Sequence, residues 1–169
     1  MIQRKIRRLG LGLMVSLGLL FSAITPAQAG WLTHEAAGVK VNVPDDWQQD
    51  AAGDEGMMIV APKDDSLMVM FWVVEGADLE AILTAFEPEF KKLVTEIKYA
   101  KEQPTDVEIN GMKAFYMEGS GKIEGEPADW EIAVVMAAKP LIIVSLAKKG
   151  AFKTHQADLS KMVNSIQAL

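Results

Sequence analysis

Three stretches of the chain are apolar at nearly every position, and a fourth alternates between apolar and polar side chains. Residues 38–44 alternate, which is typical of a strand with one buried face. Residues 67–74, 132–138 and 141–147 are apolar on both faces of an extended chain. This pattern predicts inner strands that are covered on each side by another layer.

Two further strands and two helices complete the pattern. Residues 57–61 and 112–122 read as strands, the second after an Asn110-Gly111 turn signal. The first helix has apolar residues at steps of three and four: Leu79, Ile82, Leu83, Phe86, Phe90, Leu93, Val94 and Ile97. Asp78 is placed to cap its start, and Pro88 inside it predicts a kink or a split.

The second helix is predicted after Thr154, and one face of it is apolar: Leu159, Met162, Val163 and Ile166. No alternation of strand and helix requires a parallel sheet. The chain is therefore expected to be α+β, an antiparallel sheet sandwiched by helices.

The first 29 residues have the pattern of a cleavable secretion signal. Arg4, Lys5, Arg7 and Arg8 precede an apolar run over residues 9–24. Small residues in the Ala-x-Ala pattern follow and predict cleavage between Ala29 and Gly30. The alternative is a retained membrane anchor, but a span needs about 20 apolar residues and this run is shorter. We expect a periplasmic or secreted protein with one domain over residues 30–169 and no membrane span after signal removal.

Removal of the signal makes the protein strongly acidic. It takes four of the 17 basic residues and none of the 23 acidic ones, so residues 30–169 carry a net charge of −10. Every arginine lies in the signal, and the sequence has no cysteine. We therefore do not expect the protein to bind nucleic acid or an anionic membrane surface by charge attraction. Its stability must come from packing without disulfides.

Two short motifs resemble the PsbP-like and DcrB-like superfamily. Residues 38–47, Gly-Val-Lys-Val-Asn-Val-Pro-Asp-Asp-Trp, are similar to the start of that family. Residues 109–114, Ile-Asn-Gly-Met-Lys-Ala, resemble its turn into a strand. The resemblance implies an α/β/α sandwich. It also implies diverse functions without catalysis: photosystem assembly, Ran binding, secretion chaperones and envelope proteins of obscure role. The matching positions form the fold, so no binding residue is implied.

The sequence supplies no catalytic set of residues. Gly119-Ser120-Gly121 is not the Gly-x-Ser-x-Gly elbow, and we expect a flexible strand end there. His34, near the start of the mature chain, and His155 are the only imidazole bases. A hydrolase is therefore a hypothesis that we rank below the two binding functions described at the end of this section. It requires one of the two histidines to lie in a cleft beside a serine hydroxyl.

The sequence signals for metal sites and for acid–base pairs are equally weak. His155 and Asp158 share a helical face, but two ligands do not make a closed site. The acidic stretch from Asp45-Asp46 to Asp54-Glu55, predicted as a loop, lacks the register of a calcium loop. Glu124, Glu126 and Asp129 are expected to keep a hairpin tip soluble rather than to act as an acid–base pair. We expect no cofactor.

A methionine-rich row is the remaining candidate. Met58, Met68, Met70 and Trp72 form either sheet core beneath a helix or an apolar binding face. The second case applies if both helices cover the same side of the sheet. We therefore expect a non-enzymatic accessory protein that acts through protein contact with an envelope protein. The alternative is a carrier or chaperone for a hydrophobic ligand or an apolar protein segment.

Overall fold

A computed structural model describes residues 30–52, 57–76 and 78–169. Its strands are β1 Gly30–His34, β2 Val39–Val43, β3 Gln48–Ala52, β4 Met57–Ala61, β5 Leu67–Val73, β6 Thr95–Tyr99, β7 Thr105–Ile109, β8 Met112–Ile123, β9 Glu126–Met136, β10 Pro140–Lys148 and β11 Gln167–Ala168. Its α-helices are α1 Leu79–Leu93 and α2 Ala151–Asn164. No helix among these residues is long and apolar enough to span a bilayer. Ala29 of the predicted cleavage site lies outside the described residues, and Gly30 opens β1.

The strands form one large and one small sheet. The large sheet has the order β3-β4-β5-β10-β9-β8-β6, and β7 pairs with the first half of β8. All of its pairings are antiparallel. The small sheet has the order β1-β2-β11. The α+β class predicted from the sequence is confirmed.

The two helices lie on opposite faces of the large sheet. Ile82, Phe86 and Phe90 of α1 pack on one face together with Met70 and Trp130. The other face is covered by α2 and the small sheet. Leu159 and Met162 of α2, Ile166 just after the helix, and Val39 and Val41 of β2 pack there. We call these the α1 face and the α2 face.

The inner strands are buried on both sides, as predicted. In β10 the seven residues from 141 to 147 are all buried, and Leu67 to Phe71 of β5 are buried as well. Alternate side chains enter the two apolar clusters, for example Ile142 on the α1 face and Ile143 on the α2 face. Each such side chain contributes about 1.5–3 kcal/mol through burial.

The observed helix bounds correct two expectations. Helix α1 runs unbroken through Pro88, so the predicted split is wrong. Thr84, whose carbonyl cannot receive a proline N–H, is exposed and can meet water there. The helix ends at Leu93, and Ile97 of the predicted stripe lies in β6 instead.

Helix α2 begins at Ala151, one turn before the predicted start. Gly150 precedes it with a φ of 82°, a conformation that glycine adopts without strain. No side chain of Gly150 can cap the helix, but the carboxylate of Asp129 accepts the Gly150 N–H at 3.0 Å. A strand residue therefore anchors the helix start.

Two stretches expected to be irregular are strands, and a third lies deeper inside its strand than predicted. β3 lies inside the acidic segment predicted as a loop. His34, expected near a frayed start, ends β1 and is 2% exposed. Gly119 and Gly121, expected at a strand end, lie inside β8 and pair with β9. The absence of a side chain at these positions lets neighbouring groups approach the strand closely. A Cβ on Gly121, for example, would come 2.6 Å from Cγ1 of Val94.

Candidate functional site

The methionine-rich row does not form an exposed face. Met68 and Met70 are each 1% exposed beneath α1. Met58 pairs with Phe71, and both side chains belong to the cluster on the α2 face. Trp72 is half-buried against Phe86, with ring centroids 5.7 Å apart. The open apolar face required both helices on one side, and that condition is not met.

Helix α1 nevertheless leaves part of the α1 face of the sheet uncovered. The seven strands side by side span roughly 29 Å at about 4.8 Å spacing. The 15 residues of α1 span about 22 Å. The helix also crosses obliquely, since Phe86 contacts Trp72 on β5 while Phe90 contacts Trp130 on β9. Three apolar side chains on β8 and β9 remain only half-buried: Phe115, Met117 and Met136.

A groove of about 490 Å³ lies beside the helix on this face. Its apolar and aromatic lining consists of eight residues: Leu79, Leu83, Phe86, Phe90, Tyr99, Pro104, Met117 and Ile132. Helix α1 is one wall, β8 and β9 supply the floor, and residues 99–104 form the other wall. We call it the α1 groove. Glu80 and Glu87 of the helix also line it, so apolar surface is bordered by negative charge.

A row of aromatic rings underlies the helix and ends at the groove. Four ring pairs link Trp72, Phe86, Phe90, Trp130 and Tyr99, with centroids 5.7, 5.6, 5.3 and 5.1 Å apart. Such pairs each contribute about 0.5–1.5 kcal/mol beyond simple burial. The groove therefore has a rigid base, and the last ring, Tyr99, is 52% exposed.

A second site lies on the α2 face, where two carboxylates are cross-strand neighbours. Glu118 of β8 pairs directly with Glu131 of β9. The Tyr116 hydroxyl donates to Oε2 of Glu118 at 3.1 Å. Tyr116 and Glu131 also line a groove of about 480 Å³ against α2, with Phe152 and Leu159 among its apolar residues. We call it the α2 groove.

The charges of this second site are unfavourably placed. Burial raises the pKa of Glu131 above its ordinary value of 4.5; the Tyr116 hydroxyl lowers it in part, and Glu118 and Asp129 raise it. Burial raises the pKa of Tyr116, and the negative charges of Glu131 and Glu118 raise it further. Glu131 thus holds its proton more tightly than a solvated glutamate does.

His155 lies beside a serine hydroxyl, but not in catalytic geometry. Its Nε2 is 3.0 Å from Oγ of Ser66 and 3.3 Å from Oδ2 of Asp64. The Ser66 hydroxyl donates to Oδ1 of Asp64 at 2.7 Å. In a catalytic triad the carboxylate orients the opposite imidazole nitrogen, and the serine proton goes to histidine. Here both oxygens meet one nitrogen, so the cluster ties α2 to the β4–β5 turn.

The other acidic candidates are occupied or dispersed. Asp129 binds Nζ of Lys149 at 2.6 Å and caps α2, while Glu124 and Glu126 are exposed at the β8–β9 turn. Asp54 and Glu55 lie outside the described residues. No hydrogen bond joins His155 to Asp158 in the described chain. The described ranges contain no group of three or more histidine or acidic side chains placed to hold a metal ion.

The residues of both grooves were missed because they depend on strand register and helix placement. One signal for the second site was present in the sequence, the turn-forming glycine at position 125. The structure places a two-residue hairpin turn at Glu124 and Gly125, whose φ values are 53° and 86°. A turn at these two residues sets Glu118 opposite Glu131.

Comparison with known proteins gives matches in structure only. No protein-family model and no curated protein sequence matches the chain. The solution structure of cyanobacterial PsbP (CyanoP) from Synechocystis is similar, with a TM-score of 0.58 and 11% identity over 92% of this chain and 99% of that one. A crystal structure from Bacteroides thetaiotaomicron has a TM-score of 0.54 and 14% identity over 84% of this chain. The match covers 49% of the Bacteroides protein, so this chain spans about half of its length.

A third similar structure is LpqN from Mycobacterium tuberculosis, a protein involved in cell envelope biogenesis. Its TM-score is 0.46, with 15% identity over 83% of this chain and 90% of that one.

Proposed function

We propose that this chain, which has the α+β fold of cyanobacterial PsbP, is an exported accessory protein that acts without catalysis by binding a protein partner. Residues 1–29 are the signal, and residues 30–169 are the single working domain. The observation that carries the proposal is the α1 groove, an apolar groove on a rigid base. We assign it as the contact surface for an apolar segment of the partner.

The shape of the surface favours a protein segment over a small hydrophobic ligand. Met117 of the groove has two further half-buried apolar residues on the same face of the sheet, Phe115 on β8 and Met136 on β9, so apolar surface extends beyond the groove. A carrier for a lipid buries most of its ligand within a cavity. An acyl chain on this surface would stay partly in water, whereas a partner segment brings its own polar face.

The charge around the groove defines the partner chemistry. Glu80 and Glu87 line the groove, and residues 30–169 carry a net charge of −10. Lys91 is paired with Glu87 and offsets its charge, so the negative border of the groove rests on Glu80 and on the net charge. We therefore expect apolar anchor side chains flanked by lysine or arginine, because opposite charges speed encounter and exclude acidic competitors.

The contacts of His155 support a role without catalysis. Its one contacting nitrogen meets both Ser66 and Asp64, and the serine proton is directed to the carboxylate. Serine activation needs that proton to pass to the imidazole. We assign the cluster a structural role.

The test places a photocrosslinking residue at position 83 or 117 in the protein produced in its own host. Position 163 on α2, also half-buried and apolar, is the matched control. We expect one envelope protein to crosslink from 83 and 117 but not from 163. With that partner purified, Leu83→Ser should weaken binding about fivefold or more, and Val163→Ser should not.

Three outcomes would overturn the proposal. Equal crosslinking from all three positions would remove the groove as the contact surface. Lipid that co-purifies in native mass spectrometry, and is lost in Leu83→Ser, would instead support the carrier alternative. Hydrolase turnover that disappears in His155→Ala would exclude the role without catalysis.

A further inference from the structure

The turn between β7 and β8 consists of two residues, Asn110 and Gly111. Ile109 pairs with Met112, and the turn residues have φ values of 48° and 82°. Positive φ at both central positions is the type I′ hairpin turn, for which Asn-Gly is the preferred sequence. The turn is exposed, and a Cβ on Gly111 would meet nothing within 4 Å.

The Asn110 side chain also joins this turn to the end of α2. Its Nδ2 donates to the carbonyl of Asn164 at 2.7 Å and to the carbonyl of Ile166 at 2.8 Å. The last carbonyls of a helix lack partners within the helix, so the amide satisfies groups that would otherwise need water. Both contacts use the two hydrogens of one amide nitrogen, which no carboxylate possesses. We call this pair of bonds the Asn110 clamp.

We propose that Asn110 is a site of spontaneous deamidation, and that loss of its amide opens the clamp at the end of α2. The backbone nitrogen of Gly111 attacks Cγ of Asn110, and a new N–Cγ bond forms. The Cγ–Nδ2 bond breaks, and ammonia leaves with the proton from the Gly111 N–H. Water then opens the five-membered imide at either carbonyl, giving aspartate or isoaspartate.

The sequence and exposure at this position favour the reaction over other asparagines in the described chain. Gly111 has no side chain to hinder the attacking nitrogen. Asn42 and Asn164 are also exposed, but they are followed by Val43 and Ser165, whose side chains crowd the nitrogen. Native conversion requires the clamp to open first, so the rate reports how often it opens.

The product turns an attraction into a repulsion. A carboxylate at position 110 would face the carbonyl oxygens of residues 164 and 166, and three acceptors would then have no donor among them. Ile166 is fully buried on the α2 face, and Leu169 N donates to the Gly38 carbonyl at 2.9 Å. Opening should therefore loosen residues 164–169, including β11.

Two measurements test the proposal. The folded mature protein is held at mildly alkaline pH, and peptide mapping follows each asparagine. We expect Asn110 to convert at least about tenfold faster than Asn42 or Asn164. Equal rates would exclude Asn110 as a preferred site.

The second measurement compares Asn110→Asp with Asn42→Asp, which adds the same charge elsewhere. We expect Asn110→Asp to lower the melting temperature by about 4 °C or more, with faster hydrogen exchange confined to residues 164–169. Equal stability of the two variants would show that the Asn110 clamp does not hold the end of α2. If Asn110→Asp does not fold, the deamidated fraction of the natural protein, separated by anion exchange, takes its place.

Discussion

Gly119 lies directly opposite Trp130 in the β8–β9 pairing, and the Trp130 ring occupies the space where a side chain at residue 119 would stand. A Cβ there would overlap that ring and the carbonyl oxygen of Lys98. Trp130 is 1% exposed, and its Nε1 donates to the Ser120 carbonyl at 3.1 Å. The glycine is therefore a packing requirement of the aromatic row beneath α1.

We expect Gly119→Ala to lower the free energy of unfolding by about 1–3 kcal/mol, because the added methyl group must displace backbone or the buried indole. Chemical denaturation with far-ultraviolet circular dichroism measures the loss. Ser120→Ala, one residue away and facing the α2 side, should change stability by less than about 0.5 kcal/mol. Equal effects of the two variants would show that Trp130 does not restrict position 119.

The pair Glu118 and Glu131 should make the protein less stable at neutral pH. The pKa of Glu131 is raised in the folded state, so above both pKa values its buried charge opposes folding. Glu131→Gln should raise the free energy of unfolding by about 0.2–1 kcal/mol at pH 7, as expected for relief of a like-charge cross-strand pair.

The gain from Glu131→Gln should shrink as pH falls through the raised pKa and should vanish below the ordinary value of 4.5, where both folded and unfolded states are protonated. Thermal unfolding across this pH range measures it. Glu126→Gln at the exposed end of β9 is the control and should have no such profile. A gain that persists at acid pH would contradict the electrostatic cause.

The inner strands could be predicted because burial on both faces leaves a continuous apolar run, as in residues 141–147. The outer strands could not. β6 is exposed at four of its five residues, and it follows directly on the helix, so its Ile97 continued the helical spacing. β3 is also short and polar, and it lies at the opposite edge of the sheet. Strands at an edge pair on one side only, so their sequences carry a weaker pattern.

The candidate surfaces could be predicted less well than the fold. Met68 and Met70 were visible as apolar, but which helix would cover them depends on long-range topology. The α1 groove exists because the sheet is wider than α1. The width of the sheet could not be predicted, because β6 and β7 were not recognised in the sequence. The pairing of Glu118 with Glu131 follows from one turn position, and an error of one residue there reverses the faces of a strand.

The cluster of Asp64, Ser66 and His155 should contribute a small stabilisation that depends on pH. The Ser66 N–H and hydroxyl, and to a smaller extent His155, lower the pKa of Asp64 below its ordinary value of 3.8. Its contribution is therefore complete above that value and is lost as pH falls through the lower folded pKa. Asp64 is 56% exposed, so Asp64→Asn should cost about 0.5 kcal/mol or less at pH 7.

Urea unfolding at pH 7 and at the lowest pH where the protein stays folded would compare Asp64→Asn with Asp65→Asn. The second variant makes the same charge change at the next residue, and asparagine tolerates its φ of 52°. Only Asp64→Asn should lose stability at neutral pH. A matching loss in Asp65→Asn would point to general charge effects instead of the cluster.

Asp129 should be the most sensitive acidic residue of the β9 strand, because it substitutes for a missing helix cap. Its Oδ2 accepts the Gly150 N–H at 3.0 Å, and its Oδ1 binds Lys149 Nζ at 2.6 Å. Asp129→Ala should lower the free energy of unfolding by about 1 kcal/mol, the usual cost of removing a cap, with hydrogen exchange accelerated in the first turn of α2. Lys149→Ala removes the exposed ion pair alone and should cost less than about 0.5 kcal/mol. Equal costs for the two variants would assign the effect to the ion pair and contradict the capping role of Asp129.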